Sequence, residues 1–444
     1  MKNREGLIKF YILRFLTSCM SLNKVLKELD LMPSKDEIRE AKRKTDEVIS
    51  AMKEEIKRLK VNAEVFLGGS LAKSTLVKKG RHDIDIFVRF DWKYQDLSNY
   101  LEKIAKNTAK KTGGKLEKIH GSRDYFRITR NNIDFEIIPV LKIKKPREAR
   151  NVTDLSYFHV NYVKKKIKNK KLAGEIAIAK AFCKAQGVYG AESYIQGFSG
   201  YALECLIIHY GSFEKMLREL SKVKENGRLI LDPEKKFKKK DDALFELNAS
   251  KLKSPIILID PTWKERNVLA ALSLGTFQLF QTAAMGFLRH PSKKWFEEKT
   301  IDEKILKDAA KKKKAEFVKI NIRTDRQVGD IAGTKLKKFS NFLTRELGTY
   351  FETIKIEFVY DKANSADVYI IAKSKKGIIR IGPPIGMKKN ASEFRKRNKS
   401  VFVKNGLLHT KIKIDFTAKE FLNNYKKKYA NKIREMNIIR FDIC

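Results

Sequence analysis

Cysteine is scarce in this chain of 444 residues, which contains only Cys19, Cys183, Cys205 and Cys444. No two of them form a Cys-x-x-Cys pair or stand at the spacing of zinc ligands. A disulfide framework and a structural zinc site are therefore not expected. Cysteines that lie so far apart in sequence are typical of a reducing compartment, and we expect a cytoplasmic protein.

Long apolar runs are also missing. The most apolar N-terminal stretch, residues 7–16, is interrupted by Lys9 and Arg14, whereas a membrane-spanning helix needs about 20 apolar residues. The stretch has no small-residue cleavage site, which argues against a signal peptide. We predict no membrane association, and attachment to a membrane surface through this stretch is the weakest alternative. The patterned segment after Met20 leaves open whether the protein starts there or at Met1.

Acidic residues are outnumbered by basic ones, 53 to 96, so the formal net charge is +43. A compact protein with this charge repels itself unless a polyanion is near, which favours nucleic acid as a partner. Residues 301–444 are the more basic part, with 35 basic and 16 acidic residues. Lysine runs at 235–240, 311–314 and 426–428 are candidate phosphate contacts, although any one such run is more often a solvated surface.

The remaining composition is that of a globular protein. Apolar residues make up 42% and charged residues 34% of the chain, which excludes collagen, a mucin-like stalk and a mostly disordered chain. At about 100–200 residues per domain, the length predicts two to four domains.

Hydrophobic patterning predicts a small α/β region in the first 145 residues. Ser34 and Glu37 have the spacing of a capping box, so a helix is predicted from there to about Leu59. Alternating acidic and apolar residues predict a strand at 82–88 with one wet and one buried face. The other elements predicted in this region are a strand at 63–67, a helix at 92–111 and strands at 124–130 and 132–140, the last two joined at Asn131-Asn132.

The pattern becomes mainly helical between about 150 and 290. Helices are predicted at 172–186 and 198–210, on either side of a Gly- and Tyr-rich turn. Beyond residue 300, strands predicted at 317–322, 354–360 and 368–374 are mixed with basic helices. We therefore predict an α+β multidomain fold.

The strongest chemical signal is Gly68-Gly69-Ser70 followed, a dozen residues later, by Asp83-Ile84-Asp85. The two aspartates share one face of a strand and repel each other, so a hard cation such as Mg²⁺ is their natural partner. A Gly-Gly-Ser turn exposes backbone N–H groups and a hydroxyl to a phosphate. A lone Asp-x-Asp is more often a solvated strand face, but the ordered pair of motifs indicates a triphosphate held on two metal ions.

A third carboxylate is expected from a neighbouring strand. Asp134 and Glu136 share one face of the predicted strand at 132–140, with apolar residues on the other face. Spacing alone leaves open which of the two completes the metal site.

These motifs resemble the polymerase-beta-like nucleotidyltransferase superfamily, and later blocks narrow the resemblance. The later blocks are similar to those of the archaeal, class I CCA-adding enzymes, the tRNA nucleotidyltransferases, and they come in the family's order over about residues 35–400. The blocks in question are Lys180 to Glu192, Gly197 to Cys205, Asp260-Pro261 with Glu265 to Val268, and Arg380 to Pro384.

The resemblance implies a domain for each region. Residues 1–34 would be an N-terminal extension and 35–148 a polymerase-beta-like catalytic palm. Residues 149–295 would form a helical nucleotide-binding domain, and 296–444 a basic α/β body and tail that binds tRNA.

The resemblance also implies roles for single residues. Asp83, Asp85 and Glu136 would bind two Mg²⁺ ions, with Asp134 in reserve. Arg266 would face the incoming base. The residues that would hold the phosphates and sugar of CTP or ATP are Gly69, Ser70, Lys73, His159, Lys180 and Tyr189.

Four of the residues outside the carboxylate set also have a plainer alternative. Without the resemblance, His159 is as readily a packed or surface histidine and Lys180 a solvated helix lysine. Tyr189 could be a core aromatic residue, and Arg266 could form a surface ion pair with Glu265 or another acid.

Three positions depart from the family pattern. Lys73 stands where the family commonly has arginine, so a bidentate grip on phosphate becomes a point charge. Glu136 replaces the usual aspartate, and its extra methylene can shift the second metal ion. Asp83 stands where the archaeal enzymes commonly have glutamate.

The function implied is template-independent addition of C, C and A to the 3′ end of tRNA, with release of pyrophosphate. The protein would recognise the acceptor and T stems by shape, because A-form RNA offers little base information in its deep groove. No protein partner is implied, and a homodimer is left open. The alternatives are another nucleotidyltransferase, such as a poly(A) polymerase or oligoadenylate synthetase, or a catalytically inactive tRNA-binding protein or chaperone.

Overall fold

The computed structural model describes residues 22–444 apart from positions 79, 122, 168, 225, 226 and 299, and omits the side chains at 23 and 240. The apolar stretch at 7–16, the alternative start at Met20 and most of the proposed extension 1–34 therefore lie outside the described residues. No helix in the described part is long and apolar enough to cross a membrane. The chain divides into two compact units, one ending at position 299 and the other spanning Thr300–Cys444.

Helix α2 begins where the capping box predicted it. After a short helix α1 (Leu22–Lys27), α2 runs over Lys35–Arg58. The Ser34 hydroxyl accepts from the Glu37 N–H at 3.1 Å, and the Glu37 carboxylate accepts from the Ser34 N–H at 2.7 Å. These bonds satisfy donors that a helix leaves free at its start.

The first unit contains a mixed sheet against which α2 and α4 pack. Its strands are β1 (Ala63–Leu67), β2 (His82–Phe90), β3 (Lys115–Ile119), β4 (Tyr125–Arg130) and β5 (Ile133–Leu141), and the helices between them are α3 (Gly69–Ala72) and α4 (Leu97–Thr112). The order across the sheet is β1-β2-β5-β4-β3, and only β2 and β5 run parallel.

The sheet differs from the sequence prediction at two places. Strand β3 was not predicted, because its charged residues hide any alternation. Helix α4 begins at Leu97 rather than near Trp92, because the Asp96 carboxylate caps it by accepting from the Asn99 N–H at 3.0 Å. The β4–β5 hairpin turns at Asn131-Asn132 as predicted, and both residues have the positive φ that tight hairpins need.

The rest of the first unit is mainly helical. Its helices are α5 (Ser156–Lys166), α6 (Lys170–Ala185), α7 (Gly200–Tyr210), α8 (Phe213–Ser221), α9 (Ala243–Glu246) and α10 (Leu274–Arg289), with single-turn 3-10 helices at Pro146–Glu148, Val152–Leu155, Lys240–Asp242 and Lys293–Phe296. Strands β6 (Leu229–Leu231) and β7 (Ile256–Leu258) pair in parallel. Fully buried aromatic residues, among them Phe182, Phe213, Phe280 and Phe287, form the core.

The second unit combines two sheets with helices. Strands β8 (Glu316–Thr324), β9 (Phe351–Tyr360), β10 (Ser365–Ser374) and β14 (Ile438–Ile443) form one sheet, and β11 (Ile378–Pro384), β12 (Val401–Lys404) and β13 (Leu407–Ile412) form the other. The helices are α11 (Glu303–Lys312), α12 (Asp330–Gly348), α13 (Lys388–Arg397), α14 (Ala418–Lys428) and α15 (Ala430–Glu435). The predicted α+β multidomain fold is confirmed.

Candidate active site

The parallel pairing of β2 with β5 brings the predicted carboxylates together. Asp83 lies opposite Asp134, and Asp85 lies opposite Glu136. Because paired residues of parallel strands point to the same side, all four carboxylates share one face of the sheet. The alternate positions, including Ile84 and Phe135, are fully buried on the other face and anchor both strands in the core.

The electrostatics of this acidic face favour a cation. Burial, and then repulsion from Glu136, raise the pKa of Asp85 to about 7, although Lys73 opposes the shift. Burial also raises the pKa of Glu136, against the ion pair with Arg127 at 3.0 Å. Carboxylates that repel each other in this way fit a divalent oxygen-binding metal. In the part of the chain that the structure describes, however, no three His, Cys, Asp or Glu side chains already stand as a metal-ligating group.

The two candidates for the third carboxylate differ in their partners. Asp134 is nearly buried and accepts from the Thr129 hydroxyl at 2.6 Å, and Arg81 lies 3.4 Å away. Glu136 lies directly opposite Asp85, and its carboxylate accepts from the Arg127 guanidinium at 3.0 Å. Because Asp134 is already committed to two neighbours, the geometry favours Glu136.

The turn after β1 packs tightly against this acidic face. Gly69 has φ +59°, and a Cβ built on it would lie 1.8 Å from Asp85 Oδ2. A Cβ on Gly68 would meet the ring of Phe87 at 2.2 Å. Both glycines are therefore needed for the backbone to approach β2, and Ser70 follows at the start of α3.

We expect Gly69→Ala to lower the rate of nucleotide incorporation at least about 100-fold, because its methyl group would displace Asp85 and a shift of about 1 Å in a reacting group has that effect. Gly113→Ala is the matched control, since Gly113 also has a positive φ, +67°, but open space around it. That control carries the backbone strain alone and should keep the parent rate. Steady-state extension kinetics measure both, and a Gly69→Ala protein with the parent rate would contradict the prediction.

A cleft of about 240 Å³ opens beside the acidic face. Many of the residues predicted from the sequence line it, namely Gly69, Ser70, Lys73, Asp83, Asp85, Lys180 and Tyr189. Thr75, His82, Lys184 and Glu204 line it as well and were not predicted. Residues from the sheet region and from the helical region therefore meet in one cleft.

A buried carboxylate holds the two predicted phosphate-binding lysines. Glu204 Oε2 accepts from Lys73 Nζ at 2.7 Å, and Glu204 Oε1 accepts from Lys180 Nζ at 2.8 Å. Lys180 also donates to the Thr75 hydroxyl at 3.0 Å, which in turn donates to Glu204 at 3.1 Å. Burial would raise the pKa of Glu204, but the two lysines lower it to about 2. Lys180 is only 5% exposed, so the solvated alternative for it is wrong.

Tyr189 belongs to the wall of the same cleft. Burial raises the pKa of its hydroxyl, and Lys184 Nζ lies 5.1 Å from the centre of its ring. A Cβ on Gly200 would lie 3.0 Å from that hydroxyl, so a larger residue there would push the tyrosine back by a few tenths of an ångström.

His159 and Arg266 meet at a second buried carboxylate, that of Asp260. Asp260 Oδ2 accepts from Arg266 Nη1 at 2.7 Å and lies 3.1 Å from His159 Nε2, and the His159 ring stacks on Tyr201 at 3.8 Å. Burial lowers the pKa of His159. Burial would raise the pKa of Asp260, but the bond with His159 and the charge of Arg266 lower it instead. Because an ionised carboxylate can only accept, the hydrogen in the contact between His159 and Asp260 lies on Nε2 of the histidine.

The partners of Arg266 and His159 partly match the plainer alternatives. Arg266 does form an ion pair, but with the buried Asp260 rather than with Glu265 at the surface. His159 is packed, being 8% exposed. Sequence reasoning had assigned no role to Glu204, Asp260 or Tyr201, although all three lie in the blocks that resembled the family.

Comparison with known proteins gives the family. The model for "tRNA nucleotidyltransferase, second domain" matches residues 174–297, and that for "Second Messenger Oligonucleotide or Dinucleotide Synthetase domain" matches residues 20–156. The CCA-adding enzyme of Nanoarchaeum equitans is 35% identical over 405 residues, which cover 89% of this chain and 94% of that protein. The chain belongs to the archaeal, class I CCA-adding enzymes. As a member of this family, it is a tRNA nucleotidyltransferase.

Other relatives agree with this assignment. The CCA-adding enzymes of Saccharolobus islandicus and Methanocaldococcus jannaschii are 29% and 28% identical, covering 82% and 87% of this chain and 82% and 86% of theirs. Separately from this assignment, a solved structure of Cid1, a protein with RNA terminal uridylyl transferase activity, has a TM-score of 0.49 at 13% identity and covers 64% of this chain and 100% of its own. The family predicted from the sequence motifs is confirmed for this CCA-adding enzyme.

Proposed function

We propose that this CCA-adding enzyme adds C, C and A to the 3′ end of tRNA from CTP and ATP, using the cleft beside β2. The observation that carries the proposal is the meeting of the acidic face with two phosphate-binding lysines in one cleft. Likeness to a CCA-adding enzyme over 89% of this chain supports the choice of reaction over a poly(A) polymerase or an inactive RNA-binding protein.

Asp83, Asp85 and Glu136 would hold two Mg²⁺ ions. The pairing of β2 with β5 and the raised pKa values of Asp85 and Glu136 support this set. When bound, such ions activate a hydroxyl nucleophile and stabilise the charge on the leaving pyrophosphate. Asp83 and Asp85 line the cleft, so a triphosphate bound there would lie next to these carboxylates. The tRNA 3′-hydroxyl would attack the α-phosphorus in line, and pyrophosphate would leave on the opposite side.

Lys73 and Lys180 would bind the triphosphate, with Gly69, Ser70 and Tyr189 beside them. Both lysines are ion-paired to Glu204 in the cleft, so each must exchange or share that carboxylate when phosphate arrives. The Lys73 ammonium is a point charge on a flexible side chain, so its position depends on the bond to Glu204. His159 would contact the sugar or phosphates next to these residues.

Recognition of tRNA would depend on the shape and phosphates of the acceptor and T stems. The basic excess in residues 301–444 supports this, because sequence-independent binding to RNA comes from Lys and Arg at phosphates. Arg266 would contact the incoming base. Its guanidinium is partly buried and held by Asp260, which supports this role because contact with a base edge needs hydrogen-bond donors that point in one direction.

An extension assay tests the function. A tRNA transcript that lacks its last three nucleotides is incubated with Mg²⁺ and CTP alone, ATP alone or both. We expect two residues from CTP alone, one further residue when ATP is also present, and then termination. A long tail grown from ATP alone would indicate another nucleotidyltransferase activity, and binding of tRNA without extension would indicate an inactive RNA-binding protein.

A further inference from the structure

The Asp260 carboxylate is fully buried, and both of its oxygen atoms accept hydrogen bonds. Its Oδ2 atom accepts from Arg266 and His159, as described above. Its Oδ1 atom accepts from the Tyr201 hydroxyl at 3.1 Å and from the N–H and hydroxyl of Thr262, each at 2.8 Å. One oxygen thus anchors the carboxylate, and the other holds Arg266 and His159.

The backbone places Asp260 and Arg266 at the two ends of one turn. The Asp260 N–H donates to the Arg266 carbonyl at 2.9 Å, and Ile259 bridges to Asn267 in antiparallel fashion. Within the turn the Trp263 N–H donates to the Asp260 carbonyl at 3.1 Å. The backbone and the side chains of Asp260 and Arg266 therefore both bond to each other across the turn. The ion pair between the side chains fixes the direction in which the guanidinium points.

The carboxylate also ties this turn to the helix beside the cleft. Tyr201 and Glu204 lie three residues apart on α7 and so share one face of that helix. Asp260 bonds to the first, and the phosphate-binding lysines bond to the second. Helix α7 therefore helps to fix the position of Arg266, through Tyr201 and Asp260, and also fixes the positions of the two lysines, through Glu204.

Arg266 retains donors for a ligand. An arginine guanidinium has five N–H donors, and Asp260 is the acceptor for one of them. A guanidinium held at one end presents the remaining donors in a fixed plane, so it can distinguish the paired acceptors O2 and N3 of cytosine from the single acceptor N1 of adenine. Without its anchor the side chain would regain its rotamer freedom and accept either base.

We propose that Asp260 is a positioning residue that sets the choice between C and A by fixing the direction of the Arg266 guanidinium. This inference rests on the proposed function, in which Arg266 contacts the base. In this role Asp260 acts through the residues it holds and needs no contact of its own with the nucleotide.

The test is a double-mutant cycle of Asp260→Asn and Arg266→Ala in the full-length enzyme. For each protein, kcat/KM is measured for CTP and for ATP on a tRNA lacking three nucleotides and on one lacking only the final A. We expect Asp260→Asn to reduce the ratio of correct to incorrect nucleotide by about tenfold or more, the effect of losing a hydrogen bond to a charged group. The double variant should discriminate no worse than Arg266→Ala alone, because both changes remove the same directed contact.

Lys264→Gln is the matched control. Lys264 lies in the same turn, but its Nζ atom pairs with Glu246 at the surface at 2.7 Å, so the variant keeps every contact of Asp260 and its ratio should equal that of the parent. If Asp260→Asn fails to fold, Asp260→Glu keeps the charge but moves the carboxylate by one methylene, and the same loss of discrimination is expected. Binding of tRNA, measured by filter retention, should be unchanged in every folded variant.

The outcomes separate this inference from the proposed function. An unchanged ratio in Asp260→Asn beside a reduced ratio in Arg266→Ala overturns the positioning role alone. Equal losses from Asp260→Asn in the parent and in the Arg266→Ala background overturn it too, because Asp260 would then act independently of Arg266. An unchanged ratio in Arg266→Ala overturns the base contact of the proposed function, and the inference with it.

Discussion

Replacing Asp83 and Asp85 together by asparagine is expected to lower the rate of nucleotide incorporation at least about 10³-fold, because the loss of metal-ion catalysis costs several kcal/mol of transition-state stabilisation. Asparagine matches aspartate in size but supplies no negative charge for a cation. Since the change also removes repulsion between Asp85 and Glu136, the variant should unfold at the same temperature as the parent or above it. Low activity would then not reflect misfolding.

Single-turnover extension with excess enzyme, together with a thermal melt, measures both effects. Glu64→Gln is the matched control, because Glu64 lies on β1 and pairs with Arg89 outside the cleft. That variant should extend tRNA at the parent rate. A doubly substituted enzyme that still extends tRNA at a rate within tenfold of the parent would exclude these carboxylates as the metal-binding set.

The second large effect concerns stability. Glu204→Gln should lower the free energy of unfolding by about 3 kcal/mol or more, because removing one partner of a buried ion pair leaves an uncompensated charge. Here two lysine side chains lose their anion, and Lys180 has little contact with solvent. A urea titration at neutral pH measures the change. Asp30→Asn, which breaks the exposed ion pair with Lys78, is the control and should match the parent.

The pH dependence of the same variant provides a further check. The pKa of Glu204 in the folded protein, about 2, lies below its ordinary value of 4.5. Its stabilising contribution is therefore complete above about pH 4.5 and is lost as the pH falls toward 2. The difference in stability between parent and Glu204→Gln should be constant near neutral pH and shrink in that acidic window. A difference that is already absent at neutral pH would mean that the buried ion pairs contribute nothing.

The parts of the site that sequence reasoning reached are those set by short-range patterns. Alternation along β2 places Asp83 and Asp85 on one face whatever else surrounds the strand. The capping box at Ser34 and the Asn131-Asn132 turn follow equally from local chemistry. The assignment of each residue to the metal or the nucleotide stays a prediction, as do the domain boundaries at 34, 148 and 295.

The parts that it missed depend on contacts between distant segments. Glu204 lies 131 residues from Lys73 in the sequence, and nothing near either residue indicates that they pair. A glutamate inside an apolar helix was a usable signal, because a fully buried acid needs a cationic partner. Asp260 and Arg266 are only six residues apart, and a turn closed by Asp260-Pro261 would have suggested their ion pair.

The shared helix α7 has a consequence for engineering enzymes of this kind. Because Tyr201 and Glu204 sit one turn apart on Gly200–Tyr210, a chimera that exchanges only the turn at 260–266 would inherit an anchor built for another sequence. A transplant intended to change which nucleotide is added should therefore carry α7 and that turn as one cassette. Libraries that randomise the turn alone are expected to return mostly enzymes that incorporate both bases, rather than enzymes with a new preference.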